Sequence, residues 1–322
     1  MKLIQTLTMA VAALVWAWAT PDAGAQTTRT IRIVVPFPAG GSADTLARIF
    51  ADQIGKAGGP AMVVENRPGA GASIGYEVVA HAVADGSTVG MISNSFVINP
   101  SLRKVNYDPQ ADFAPVCNLV TSPQVIVVNS ASPYHTLSEL IAAAHAKPGE
   151  LTLASLGPAT TQHIGVEQLK RLAQADFTYI PYSGGAPAIT ALLGGHVTAV
   201  LQNYSEAVEH LQAGTLRALA VTTAKRLEPL PDVQTVAEAG YPALELAVAW
   251  FGIAVPAKTP AATVGQLSSL FSAALAAPEV KTKLQTLQLY PAGTCGADFA
   301  AQIRAADASY RKIITDAHIS AE

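Results

Sequence analysis

Four short loops hold most of the side chains in this sequence that could do chemistry. The first, Pro36-Phe37-Pro38-Ala39-Gly40-Gly41-Ser42-Ala43-Asp44, joins an apolar run to a segment of helical periodicity. Its small residues let backbone N–H groups approach a ligand, and the positive end of the following helix favours an anion such as a carboxylate. An ordinary βα turn capped by Ser42 fits the same spacing equally well. In the second loop, Ser155-Leu156-Gly157-Pro158-Ala159-Thr160-Thr161-Gln162-His163, the hydroxyls of Ser155, Thr160 and Thr161 lie beside the free amides of a helix start, a second carboxylate cradle. Thr160 also has the type and position of an N-cap. The third and fourth loops are Pro181-Tyr182-Ser183-Gly184-Gly185-Ala186-Pro187-Ala188 and Gln202-Asn203-Tyr204-Ser205. All four follow apparent strands, and loops at the carboxyl ends of strands in open α/β sheets converge on the ligand crevice. Together they predict one anion site between two lobes.

The patterns that would mark an enzyme are missing. The first loop matches neither the dinucleotide nor the Walker A phosphate pattern, and no Gly-x-Ser-x-Gly nucleophile elbow occurs. The histidines show no H-E-x-x-H or comparable metal spacing. His145, His196 and His210 lie near helix ends, where a satisfied or solvated role is expected, whereas His163 closely follows the hydroxyl-rich loop. Asp44 and Glu65 could pair as acids or merely cap loops, and Arg67 could meet an anion or a neighbouring carboxylate. No catalytic residue, metal site or cofactor is assigned, and an exported hydrolase would lack a recognisable nucleophile.

The elements around these loops read as α/β. Ile31–Val35, Met62–Glu65 and Ser87–Ile92 have strand character, with helical periodicity over Ala43 to Ile54 and up to about Val83. Val125–Val128 is another short strand, and Thr136-Leu137-Ser138-Glu139 has the spacing of a capping box. The alternation then resumes with strands at Leu151–Ser155, Phe177–Ile180, Val197–Leu201 and Leu216–Val221, separated by helices near 160–173, 186–193 and 205–213. A last apolar run, Leu246–Val255, precedes helices near 261–276, 279–287 and 297–316. This pattern predicts mostly parallel sheets covered on both faces, in two lobes that the chain crosses between at least twice.

Composition narrows the class further. The 322 residues are 50% apolar and 13% charged, which excludes disorder, and the net charge of -3 provides no general attraction to nucleic acid. Residues 1–25 have the layout of a secretory signal peptide: Lys2, an apolar run from Leu7 to Ala19, and Ala23-Gly24-Ala25 before Gln26. Export to the periplasm is therefore expected. Cys117 and Cys295 could pair there or remain two separate buried thiols.

Taken in order, the loops resemble a known family, the periplasmic solute-binding proteins of tripartite tricarboxylate transporters, also called the Bordetella uptake gene (Bug) family. The resemblance rests on the first and third loops, Glu65-Asn66-Arg67-Pro68-Gly69-Ala70-Gly71, Leu193-Gly194-Gly195-His196-Val197, the run from Leu216 to Arg226, and the run from Pro231 to Gly240. It implies a type II periplasmic-binding-protein fold of two α/β lobes joined by two crossing segments, near Val125–Val128 and Trp250–Val255, with an interlobe ligand cleft. The implied division is 26–127 and 251–322 for the first lobe and 128–250 for the second.

The implied function is reception of a small carboxylated solute, a di- or tricarboxylate or an aromatic acid, and its delivery to membrane permease subunits by a monomeric receptor. A periplasmic sensor that presents its bound state to a signalling kinase shares the same fold. Carried over by position, the implied ligand-binding residues are Phe37, Pro38, Ala39, Gly40, Ser42 and Asp44 from the first lobe. From the second they are Ser155, Thr160, Thr161, His163, Tyr182, Gln202 and Asn203. The chain departs from the family at Thr198 and Gln202, where acidic residues are common. Loss of a negative group at the fourth loop makes amino-acid ligands less expected. Leu156, Pro158, Ala159 and Ser183 are further departures.

Overall fold

A computed structural model describes residues 30–246 and 248–320; the signal peptide expected over 1–25 lies outside the described residues. Ile31–Val35 (β1) is rich in β-branched residues, and its Ile33, Val34 and Val35 are fully buried, as a parallel strand covered on both faces requires. Met62–Asn66 (β2) and Thr88–Ser93 (β3) flank it in parallel. Helix Ser42–Lys56 (α1) presents Leu46, Ala47, Phe50 and Ile54 at helical spacing to the core that includes Ile33 and Val35. Helices Ser73–Ala80 (α2) and Ser95–Leu102 (α3) pack on the opposite face with Val34 and Ile92.

Phe113–Ser122 (β4) ends this part of the first sheet, and after Pro123 the strand Gln124–Asn129 (β5) lies entirely in the second. That sheet adds Thr152–Ser155 (β6), Thr178–Pro181 (β7), Ala199–Asn203 (β8) and Leu216–Val221 (β9), in the order β7-β6-β8-β5-β9. Leu137–Ala146 (α4) and Thr161–Ala173 (α5) cover one face, and Gly185–Leu193 (α6) and Tyr204–Gln212 (α7) the other. The capping box expected at Thr136 forms: its hydroxyl accepts the Glu139 amide at 3.1 Å, and the Glu139 carboxylate accepts from the His135 amide at 2.6 Å. The chain returns along Ala249–Pro256 (β10), which enters the first sheet between β3 and β4. Ala261–Ala276 (α8), Pro278–Thr286 (α9), Tyr290–Cys295 (β11) and Gly296–Asp316 (α10) complete the described chain, and the first sheet reads β11-β4-β10-β3-β1-β2.

Three features differ from the sequence reading. The chain changes sheets at Pro123 and just before Ala249, near the implied crossings at Val125–Val128 and Trp250–Val255 but a few residues before the lobe limits implied at 127 and 250. Only two of the first sheet's five pairings, β1 with β2 and with β3, are parallel, because β10 runs against β3 and β4, and β4 against β11; in the second, β5 runs against β8 and β9. For β5 and β10 the reason lies in direction: βα strands run toward the cleft, whereas a strand arriving from the other lobe starts at the cleft and runs away from it. Finally, β4 and β11 carry Pro115, Asn118, Pro291 and Gly293, which mask a strand pattern, and their pairings contain register shifts. Cys295 lies opposite Cys117 in that pair of strands, and the two form a disulfide, which decides between the alternatives left open above.

Candidate functional site

The carboxyl ends of the βα strands in both lobes meet at a cavity of about 60 Å3. This is well below the roughly 300–1,000 Å3 of pockets that enclose drug-sized ligands. Phe37, Pro38, Ala39 and Ser42 line it from the first lobe, and Thr160, Thr161 and Asn203 from the second, all of them expected from sequence. Ser93, Asn94, Ser95, Leu156, Gln162, Gly185, Glu206 and Phe251 also line it. Ser93-Asn94-Ser95 follows β3 as the other polar loops follow their strands, so its place in the chain was the signal that could have revealed it.

In the first lobe, Gly41 rather than Ser42 is the N-cap of α1, so the cap residue itself supplies no side-chain bond. Ser42 instead reaches across the cleft. Its amide donates to Glu206 Oε1 at 3.1 Å and its hydroxyl to the same oxygen at 2.8 Å, and the hydroxyl also lies 2.7 Å from Ser205 Oγ. Asn203 Nδ2 donates to Ser42 Oγ and to Glu206 Oε1, both at 3.3 Å. Asp44 is buried behind this loop and braces it. It accepts from the Gly40 amide at 3.0 Å, Asn66 Nδ2 at 3.0 Å, and Arg48 Nε and Nη2 at 3.0 and 2.9 Å. Burial works to raise the Asp44 carboxyl, but the hydrogen bonds from Arg48, Gly40 and Asn66 outweigh it and hold it below its ordinary value.

In the second lobe, Thr160 is the N-cap of α5: its hydroxyl accepts the His163 amide at 3.1 Å and donates to Gly157 O at 2.9 Å. Gly157 needs its positive φ of 77°, and a side chain there would meet Tyr182 O. This leaves the Thr161 and Gln162 amides at the cavity wall with no acceptor among the described residues. Asn94 Nδ2 donates to Tyr310 Oη at 2.7 Å, and the Thr161 side chain lies beside the same phenol, so α5 and α10 meet across the lobes. Asn94 also accepts from the Trp250 amide at 2.9 Å and donates to Val248 O at 3.2 Å, which anchors the second crossing.

Several expected residues lie outside this wall. Ser155 Oγ is 3.0 Å from Tyr179 Oη, and the Tyr179 ring stacks on His163 with centroids 4.8 Å apart. Burial, reinforced by Arg103 and Lys170, pulls His163 down to about 4, which keeps it neutral near pH 7. Gln202 is fully buried on the sheet face that carries Val125 and Val200, and Tyr182 packs with that core. Gly40 lines a separate outer groove of about 390 Å3. Asp44 and Glu65 do not pair, since Arg48 takes the first, and Arg32 and Arg67 take the second. Arg67 therefore meets a neighbouring carboxylate. His145 Nε2 lies 2.8 Å from Ala173 O, a structural contact away from the cavity.

The family model described as tripartite tricarboxylate transporter family receptor matches residues 46–318. The chain is 37% identical to protein BugT of Bordetella pertussis over 234 residues, 72% of each chain. Among solved structures it resembles the R. palustris protein Rpa4515 with adipate, at 33% identity and a TM-score of 0.87, covering 92% of this chain and 99% of that one. It also resembles MatC of Rhodopseudomonas palustris with bound malate, at 29% identity and a TM-score of 0.81, covering 89% and 99%. The sheet topology, the interlobe cavity and these likenesses agree, and the chain belongs to the tripartite tricarboxylate transporter receptor family.

Proposed function

We propose that the protein is a non-catalytic periplasmic receptor that binds a small organic carboxylate between its lobes and delivers it, as a monomer, to the permease of a tripartite tricarboxylate transporter. One observation carries the reading. The α5 start places two amides with no acceptor among the described residues, those of Thr161 and Gln162, at the wall of the cavity between the lobes. The ligand's carboxylate sits there, while Phe37, Pro38 and Ala39 close over the solute from the opposite lobe. The small cavity suits a small solute, and admission requires the lobes to part about Pro123 and the segment before Ala249. Adipate and malate in the two related structures support a carboxylate. The disulfide fits an oxidising compartment, as does the sequence pattern of residues 1–25.

The test is a thermal-shift screen of the mature protein against mono-, di- and tricarboxylates, with aromatic, hydroxy and amino acids included. At least one should raise the melting temperature in a concentration-dependent way. No shift with any of them would sink the reading.

A further inference from the structure

The wall of the cavity carries a charge opposite to that expected of an anion receptor. Among the described residues that line it, Glu206 is the only charged side chain, and no arginine, lysine or histidine accompanies it. Its Oε1 is well supplied, by the Ser42 amide, the Ser42 hydroxyl and Asn203 Nδ2. Oε2 is buried, and no donor among the described residues reaches it. A carboxylate oxygen in that state gains when a ligand brings a donor and loses when a second carboxylate is placed beside it.

The surroundings are shaped to hold this group. A methyl built on Gly185 would overlap Glu206 Oε2, so the carboxylate occupies the space left by the missing side chain at the start of α6. Ser42, Ala186 and Glu206 line both the inner cavity and the outer groove, so the Ser42–Glu206 contact is the partition between them. A solute that arrives from the groove passes this negative group before it reaches α5.

We infer that Glu206 is a specificity-determining residue: the ligand presents one carboxylate to α5 and a hydrogen-bond donor, an ammonium or a hydroxyl, toward Glu206, while a second ionised carboxylate at that end is disfavoured. This rests on the carboxylate reading of the cleft and names the chemistry of the ligand's other end. Glu206 lies in the first turn of α7, next to the Asn203 that bonds its Oε1.

The experiment is calorimetric titration of the mature protein, near neutral pH, with two length-matched sets. One set is succinate, 4-aminobutanoate and 4-hydroxybutanoate; the other is adipate, 6-aminohexanoate and 6-hydroxyhexanoate. In the better-binding set, the amino or hydroxy acid should bind at least about tenfold more tightly than the diacid. Glu206→Gln keeps an acceptor for Ser42 but removes the charge, and should shrink that ratio to within about threefold. Gly185→Ala, which displaces the carboxylate, should narrow it in the same direction. A preference confined to the amine identifies a cation as the recognised group, and one shared by the alcohol identifies a donor. A diacid that binds the wild-type protein as tightly as its partners overturns the inference, as does a ratio that Glu206→Gln leaves unchanged. If none of the six acids binds while other carboxylates raise the melting temperature, this inference fails and the carboxylate reading stands. If no carboxylate of any kind has an effect, both fail.

Discussion

Two helix starts face each other across the cleft, and they are in different electrostatic states. At α1, the first amide and its serine hydroxyl are already bound to a carboxylate from the opposite lobe, Glu206. At α5, the cap residue is satisfied internally, and the next two amides, at the cavity wall, have no acceptor among the described residues. From sequence, both are small-residue loops that lead into a helix. The difference shows that a helix N-terminus is an anion site only while the protein supplies no anion of its own. On the proposed reading, ligand capture falls to the second lobe and lobe-to-lobe closure to the first.

The largest effect that can sharpen this contrast comes from the support behind α5. His163 is drawn down to about 4 in the folded protein, against about 6.5 in the unfolded chain, so between these values the unfolded state binds more protons. Its contribution is complete above pH 6.5 and is lost as the pH falls toward 4, a change of roughly 3 kcal/mol at most. Chemical denaturation across that range should show the loss, and His163→Phe should flatten it. A profile that His163→Phe leaves unchanged would remove this residue from the account.

Asp44 is the corresponding brace behind α1. Asp44→Asn should cost about 1–3 kcal/mol of stability, through weakened bonds to Arg48 and the Gly40 amide, yet change carboxylate affinity little. Its lowered carboxyl also means that this stability is present above the ordinary aspartate range and lost as the pH falls through the folded value. Thr161→Pro should do the reverse. At the first helical position, where proline is tolerated, it removes one of the two amides and should weaken carboxylate binding by about 1–2 kcal/mol in titration calorimetry, with a smaller change in melting temperature. If Asp44→Asn weakened binding as much as Thr161→Pro, the division of labour between the two helix starts would be wrong.

The smallest expected effect is at the partition. Ser42→Ala keeps the backbone bond to Glu206 and loses the hydroxyl's contacts with Glu206, Ser205 and Asn203, so closure should weaken by a net of about 0.5–1.5 kcal/mol. Small-angle scattering would register it as a larger open population, and no change would limit Ser42 to its amide.

Much of this was legible in the residues. The β-branched run at β1, the periodicity of α1 and the Thr136 capping box are local patterns, and each forms as read. The polar loops were legible too, because βα connections put their small and hydroxylated residues at the same end of a sheet. β4 and β11 were not, since their prolines, glycine and register shifts erase the alternation that marks a strand. Nor was the division between wall and support. Ser155 and His163 belong to the right loop, but a side chain's direction depends on the neighbours it packs against, here Tyr179.

The sequence by itself determined the α/β class and the positions of the cleft-edge loops. Those follow from backbone propensity and short-range spacing, which few neighbours can override. Only the tertiary structure decided that Cys117 meets Cys295, that the chain changes sheets at Pro123, and that Glu206 crosses the cleft to Ser42, 164 positions away. Contacts between residues so distant in the chain depend on how two lobes close, and no local pattern carries that information.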